Sequence, residues 1–485
     1  MKLDTGTELP EKFVLTKEFK DTYDLINKTD TNLFITGKAG SGKSTLLEYF
    51  RQNTNKNFAT LAFQGITAIK AKGQTIHSFF KLGPHFLSKD DVKELRDKQV
   101  IQNLDTILID EISMVRADLF DAIDLSLKKN RKNDKPFGGV QMVLFGDVMQ
   151  IDPIVGSDDE VMEKFYPNGP FFFNSKSYSK KDFKQIELTK IFRQSDKKFV
   201  NLLNKIRMNK LQNEDLSILN NQLINSDEVS KDTIILAPTN RKVDDINNTN
   251  LYKLTTPTFN YNAIVKGSWK DKEHPVKKEI VLKVGAQVMI TKNDTDEPKR
   301  WVNGTLGIIT FLSKDQIKIK IKDKIFSLGK TKWDKYNYKF SGNKVNAFSV
   351  GSFIQFPLKL AWATTIHKSQ GQTFDNVSID LDTGSFAHGQ TYVALSRAKS
   401  LEGISLLKKI QKKDIIFDPR VLEFIGQKLE SKYISEILKN APKSKKKIMP
   451  KSTKSNSNEW TTSDDNKLLA LYKRNVPEFA LAKIL

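Results

Sequence analysis

The chain has 485 residues, 38% of them hydrophobic, and a formal net charge of +22. That length suggests roughly three domains of ordinary size, and the absence of cysteine excludes disulfides, thiol catalysis and Cys-ligated zinc. Residues 441–458 carry six lysines and no acid, yet +16 remains without them. The basicity therefore belongs to the body of the chain and points to a polyanionic partner.

Residues 11–28 read as a helix, with Phe13, Leu15, Phe19, Tyr23 and Ile26 near helical spacing. An apolar run, Leu33 to Thr36, is followed by GKAGSGKS (37–44) and a helix former, Thr45 to Phe50. This is the P-loop pattern in its expected strand-to-helix context. Glycines permit close backbone approach, and loop N–H groups with the helix N-terminus cradle phosphate oxygens. Gly37, Gly40, Gly42, Lys43, Ser44 and Thr45 are the candidate nucleotide-binding residues. Lys43 is expected to reach the β- and γ-phosphates, and the Ser44 hydroxyl to hold Mg²⁺.

Phe58 to Ala62 reads as a second strand, then a loop and short helix end in GQTIHSFF (73–80). Residues 83–100 are polar and irregular after the Gly83-Pro84 break. The apolar run Thr106 to Ile109 suits a buried parallel strand and ends in Asp110-Glu111. Acids at a strand's carboxyl end lie where open α/β sheets bind ligands. The pair could instead cap a following helix, Ser113 to Leu127, but the upstream P-loop favours Asp110 on Mg²⁺ and Glu111 on the attacking water. A third strand, Val140 to Phe145, leads to Gln150. That side chain reads equally as a γ-phosphate contact or as a turn residue before Pro153. Strand–helix alternation over 30–150 predicts a doubly wound parallel sheet.

Phe171-Phe172-Phe173 reads as core, and Lys197–Met208 as a long helix. A second α/β region opens with a strand at Thr233 to Ala237 and a helix at Arg241–Leu254. The composition then turns to Lys, Thr, Ile, Val and Gly. Asn303-Gly304 signals a hairpin turn, and Ile317 to Ile321 alternates with period two. Residues 301–355 thus read as a small antiparallel β insert. The chain returns to α/β at 358–375, with a further strand at Val377 to Leu381 and a helix at Gln390–Lys399. Residues 441–458 read as a disordered basic linker, and 459–485 as helical. No apolar run reaches the ~18–20 residues of a membrane helix. The polar, acidic start is neither a signal nor a transit peptide. A soluble cytoplasmic chain with no membrane partner is the expectation.

Eight segments stand in a meaningful order: GKAGSGKST (37–45), GQTIHSFF (73–80), ILIDEISM (107–114), PFGGVQMVLFGDVMQ (136–150), IFRQ (191–194), VNGTLG (302–307), TTIHKSQGQTFD (364–375) and YVALSRAK (392–399). Together they resemble superfamily 1B DNA helicases over residues 12–410, above all the petite-integration-frequency (PIF) family, with RecD-like enzymes as relatives. The resemblance implies an α/β fold of two RecA-like parallel-sheet cores with ATP and Mg²⁺ between them. The first core would be 1–187, with a wedge insert at about 78–100. The second would be 188–300 and 356–415, interrupted by an SH3-like β insert at 301–355. C-terminal helices would fill 416–440. The tail 459–485 resembles part of a Myb-like helical unit.

The resemblance further implies an ATP-hydrolysing helicase in genome maintenance that moves 5′ to 3′ on single-stranded DNA. Its partners would be single strands and single-to-double-strand junctions, with G-rich structured DNA also open, and it would act as a monomer. Lys43, Glu111, Gln150, Arg193 and Arg397 would be catalytic, the two arginines reaching the γ-phosphate from the second core. Ser44 and Asp110 would hold the metal. Thr75, His77, Phe79, Thr365, His367 and Lys368 would meet DNA, with Phe79 stacking on a base. Three places depart from the family: Phe19 stands where an adenine-reading glutamine is common, Ala62-Phe63-Gln64-Gly65 replaces Ala-Pro-Thr-Gly, and Ile151-Asp152-Pro153 replaces Leu-Pro-Pro. An RNA-directed ATPase and a non-catalytic DNA scaffold are the competing readings.

Overall fold

The apolar runs that the sequence marks as strands form two separate parallel sheets. They are described from a computed structural model that covers residues 14–426, apart from 156–158, 180, 193–195, 231–232, 268, 270, 295, 297–299 and 383. The predicted linker, the Myb-like tail, most of the C-terminal helical segment and Arg193 lie outside the described residues.

The first sheet comprises β1 (Asn32–Gly37), β2 (Phe58–Ala62), β3 (Gln74–Thr75), β4 (Thr106–Asp110), β5 (Gln141–Phe145) and β6 (Phe183–Leu188). Its order is β3-β2-β4-β5-β1-β6, with every pairing parallel. Period-two alternation sends neighbouring side chains to opposite faces. Ile107, Ile109, Met142 and Leu144 pack into one core with Phe34, whereas Leu33, Ile35, Leu108, Val143 and Phe145 pack into another. Phe171, Phe172 and Phe173 are buried in the first of these cores beside Phe424. Each buried aromatic there contributes roughly 1.5–3 kcal/mol of transfer free energy.

Helix starts follow local chemistry. The first described helix is Lys17–Lys28, and its cap is Thr16, whose Oγ1 accepts from the Phe19 N–H at 3.2 Å. The helix expected at Ser113 begins later, at Ala117, and runs to Arg131. Glu111 takes a left-handed backbone (φ 52°), a 3₁₀ turn spans Ile112–Met114, and extended residues intervene before the helix.

The second parallel sheet comprises β7 (Ile234–Ala237) and three strands from later in the chain. Between them runs the β-rich region: β8 (Thr258–Asn262), β9 (Ile264–Gly267), β10 (Glu279–Lys283), β11 (Gln287–Ile290), β12 (Leu306–Leu312), β13 (Ile317–Ile321), β14 (Lys324–Leu328), β15 (Thr331–Ser341), β16 (Lys344–Gln355) and β17 (Leu358–Leu360). The parallel sheet is completed by β18 (Ala363–Thr365), β19 (Val377–Ile379) and β20 (Ile404–Leu406), in the order β18-β7-β19-β20. Antiparallel pairing thus extends well beyond 301–355. It forms a five-stranded sheet β14-β13-β12-β11-β17, a three-stranded sheet β15-β16-β9 and a β10-β8 pair.

Ile317 and Ile319 are fully buried and Lys318 and Lys320 exposed, as the alternation requires. Asn303-Gly304 does not close a two-residue hairpin. It ends the long connection from β11 to β12, with the Gly304 N–H donating to the Ile290 carbonyl at 2.8 Å. The long β15–β16 hairpin reaches the first core. There the Tyr338 hydroxyl accepts from the Thr60 N–H at 2.8 Å, and the Val345 N–H donates to Asn57 Oδ1 at 3.2 Å. Among the described residues, no helix is long and apolar enough to cross a membrane.

Candidate nucleotide cleft and nucleic-acid face

β1 delivers the P-loop to the carboxyl end of the first sheet, and the helix Lys43–Asn53 leaves from it. Gly42 is the turning point, with φ 87°; a Cβ there would also lie 2.6 Å from the Phe19 ring. The family-departing Phe19 is therefore packed directly under the loop. Lys43 Nζ donates to the Gly37 carbonyl at 2.7 Å and the Lys38 carbonyl at 3.3 Å. Ser41 Oγ and Thr36 Oγ1 are buried beside the loop without a hydrogen-bond partner among the described residues.

β4 brings Asp110 and Glu111 to the same end of the sheet. Asp110 Oδ1 accepts from the Glu111 N–H at 3.0 Å. Burial, and then the adjacent Glu111 charge, pushes the Asp110 carboxyl up to about 7. Burial also pushes Glu111 up, against the pull of Lys43 and Arg397. Two half-buried acids whose charged forms are disfavoured suit a site completed by cations. A cavity of about 610 Å³ opens here. Gly40, Gly42, Lys43, Ser44, Thr45, Glu111 and Gln150 line it from the first core, Gly371, Thr373, Arg397 and Lys399 from the second, and Phe192 from between them. Its donors, its acids and its glycine cradle fit a nucleoside triphosphate with a divalent cation.

The second core closes the cleft through few, specific groups. Arg397 is 1% exposed and held by its own neighbourhood. Its Nε donates to the Val393 carbonyl at 2.9 Å, Nη1 to the Gln372 carbonyl at 3.1 Å, and Nη2 to Ser396 Oγ at 2.8 Å. Gln150 Oε1 accepts from Gln370 Nε2 at 3.2 Å, and the Tyr392 hydroxyl accepts from the Ala39 N–H at 3.4 Å. Behind Gln150, Arg207 Nη2 meets Asp147 Oδ1 at 3.0 Å, both buried.

The residues expected on DNA divide. Thr75 caps the short helix Ile76–Phe80 by accepting from the Ser78 N–H at 3.2 Å. His77 and His367 are partly exposed and Lys368 is exposed. Burial lowers the pKa of the His367 imidazole. Phe79 is 8% exposed and packs edge-on to Phe80 and Tyr338. Thr365 is 4% exposed, and its Oγ1 accepts from the Lys368 N–H at 3.2 Å, so it shapes the turn beneath the surface. Lysines converge from both cores. Burial, with the nearby Lys368 and Lys70 charges, lowers the Lys359 ammonium to about 8.

The model for PIF1-like helicases matches residues 14–217, and that for the UvrD-like helicase C-terminal domain matches 360–401. The chain is similar to the unliganded Pif1 structure from Bacteroides sp, at 35% identity and TM-score 0.78, over 89% of this chain and 99% of that one. The chain belongs to the PIF1-like helicase family. It is 31% identical to the ATP-dependent DNA helicase Pif1 of Bdellovibrio bacteriovorus over 85% of this chain and 92% of that protein. It is 33% identical to the ATP-dependent DNA helicase PIF1 of Danio rerio over 81% of this chain but only 60% of that longer protein. Bacteroides Pif1 in complex with ADP-AlF3 and ssDNA matches at 36% identity and TM-score 0.63, over 88% of this chain and 99% of that one.

Within this PIF1-like frame, four cleft residues escaped the sequence reading. Tyr392 and Gln370 lie inside segments already singled out, YVALSRAK and TTIHKSQG, so their neighbourhood was visible though their role was not. Asp147 likewise sits in a segment already singled out, GDVMQ, with no role assigned to it. Arg207, one of several basic residues on its helix, carries no local sign that it crosses to the first core.

Proposed function

We propose that this chain is an ATP-hydrolysing DNA helicase that moves 5′ to 3′ on single-stranded DNA and opens duplexes at junctions during genome maintenance, working as a monomer. The observation that carries the reading is the single cleft in which Lys43, Glu111 and Gln150 of one core face Arg397 of the other.

Bound ATP and Mg²⁺ supply a phosphoanhydride bond whose cleavage releases the energy for movement. Lys43 would exchange the Gly37 carbonyl for phosphate oxygens, and Ser44 and Asp110 would hold the metal. Glu111 orients water and accepts its proton, a role suited to a carboxyl raised by burial. Arg397, with Arg193 as its partner, balances the charge that grows on the transferred group. Because these groups come from separate cores, their engagement closes the cleft and their release opens it. Gln150–Gln370 and Ala39–Tyr392 join the same two walls.

On the outer face, Thr75, His77, His367 and Lys368, joined by Lys70 and Lys359, take the phosphodiester backbone. Residues 78–100 serve as the wedge at the junction. The β-rich region that includes 301–355 serves as the SH3-like cover. The charge of +22 and the similarity to a Pif1 solved with ssDNA support a DNA strand there. Opening one base pair costs about 1.4 kcal/mol on average, within reach of one nucleotide hydrolysed.

Duplexes bearing one single-stranded tail test this. A 5′ tail is expected to permit unwinding and a 3′ tail to prevent it, and Lys43→Ala is expected to abolish both unwinding and ATP turnover. Efficient unwinding from the 3′ tail alone would reverse the polarity, and full activity in Lys43→Ala would overturn the mechanism.

A further inference from the structure

The aromatic expected to meet a base, Phe79, is buried, yet a different ring stands open beside the DNA-facing residues. Phe386 is 60% exposed. Its ring lies nearly parallel to that of His367, with centroids 6.4 Å apart and 21° between the planes. His367 in turn precedes the exposed Lys368. A large apolar ring in water is costly unless something covers it.

The backbone beneath Phe386 is tightly held. Its N–H donates to Gln390 Oε1 at 3.0 Å, and Gln390 is fully buried. On either side, Ser385 Oγ and Thr391 Oγ1 share a hydrogen bond of 2.7 Å, and His388 Nε2 lies 3.3 Å from the Val148 carbonyl. Gly389 allows the closest approach: a Cβ there would stand 2.5 Å from the Gln150 carbonyl. A pinned loop with a free ring is preorganised for stacking, since little order is lost when a flat partner arrives. The first core's counterpart, Phe63 edge-on to His77 at 5.7 Å, is half-buried and offers less of its face.

We infer that Phe386, backed by His367, is the stacking post on which the second core holds an unpaired base of single-stranded DNA. The inference rests on the single-strand reading above. Lys368 takes a phosphate while Phe386 covers the attached base, so grip comes from stacking as well as charge. Because the loop ends against Gln150, the post is mechanically joined to the nucleotide cleft.

Binding of the full chain to labelled oligo-dT and to an abasic strand of equal length tests this. The two strands share their phosphates and differ in their bases. Phe386→Ala is expected to weaken oligo-dT binding about tenfold and abasic binding less than about twofold, with Phe386→Trp restoring the preference. Equal losses on both strands, or no loss on either, would overturn the assignment while leaving the helicase reading intact. Failure of the unaltered chain to bind either strand would overturn that reading and this one together.

Discussion

The nucleotide cleft and the proposed DNA face are built in opposite ways. In the cleft, functional side chains are held by hydrogen bonds to backbone: the buried Arg397 by three carbonyls, the half-buried Lys43 by two. On the proposed DNA face Lys368 and Phe386 stand in solvent. The difference reflects what each must bind. Phosphoryl transfer needs charges fixed before the reaction, in a dry site where they act strongly. A sliding strand needs contacts that are individually modest and easily released.

The comparison breaks most sharply at Arg397. Arg397→Ala is expected to lower the turnover of ATP by about 10³-fold, read by steady-state kinetics, with a much smaller change in nucleotide affinity. A variant that loses affinity instead of turnover would place Arg397 in ground-state binding. The next largest effect separates two phenylalanines. Phe79→Ala is expected to cost about 3–5 kcal/mol of stability, as a buried aromatic does, whereas Phe386→Ala is expected to change stability by less than about 0.5 kcal/mol. Denaturant melts of the two variants decide it. Equal losses would erase the distinction between core ring and open ring.

The smallest effect concerns pH. Lys359 has a folded pKa of about 8 against an ordinary 10.5. Above about pH 8 it is neutral and loses its attraction for phosphate, while ordinary lysines keep theirs. Single-strand affinity is therefore expected to fall about two- to threefold between roughly pH 7 and 9, and Lys359→Met to flatten that slope. The sign for folding is opposite. The unfolded chain binds the proton more tightly, so stability rises as pH climbs from about 8 towards 10.5. Binding that is level across this range in the unaltered chain would remove Lys359 from the strand's path.

How far each region could be read from sequence follows the same divide. The P-loop and the Asp110-Glu111 pair are local patterns at strand ends, and both line or adjoin the cleft. Parallel strands were legible as unbroken apolar runs, and Ile317 to Ile321 as an alternating one. The DNA face was harder. GQTIHSFF gives no sign of which phenylalanine turns inward; Tyr338, over 250 residues later, packs against Phe79. Phe386 sits in a loop with no periodicity, and its exposure depends on anchors at Gln390 and Gly389. The extent of the β-rich region was also hidden, because β8 to β11 read as generic Lys/Thr/Val sequence until β8 is paired with β10, β9 with β16, and β11 with β12 and β17.

The central claim is that one cleft between two cores ties nucleotide hydrolysis to a bound strand. ATP turnover measured with and without saturating oligo-dT tests it most directly. The account predicts a rise of roughly tenfold or more when the strand is present, abolished in Lys43→Ala. Turnover that is indifferent to the strand would contradict it.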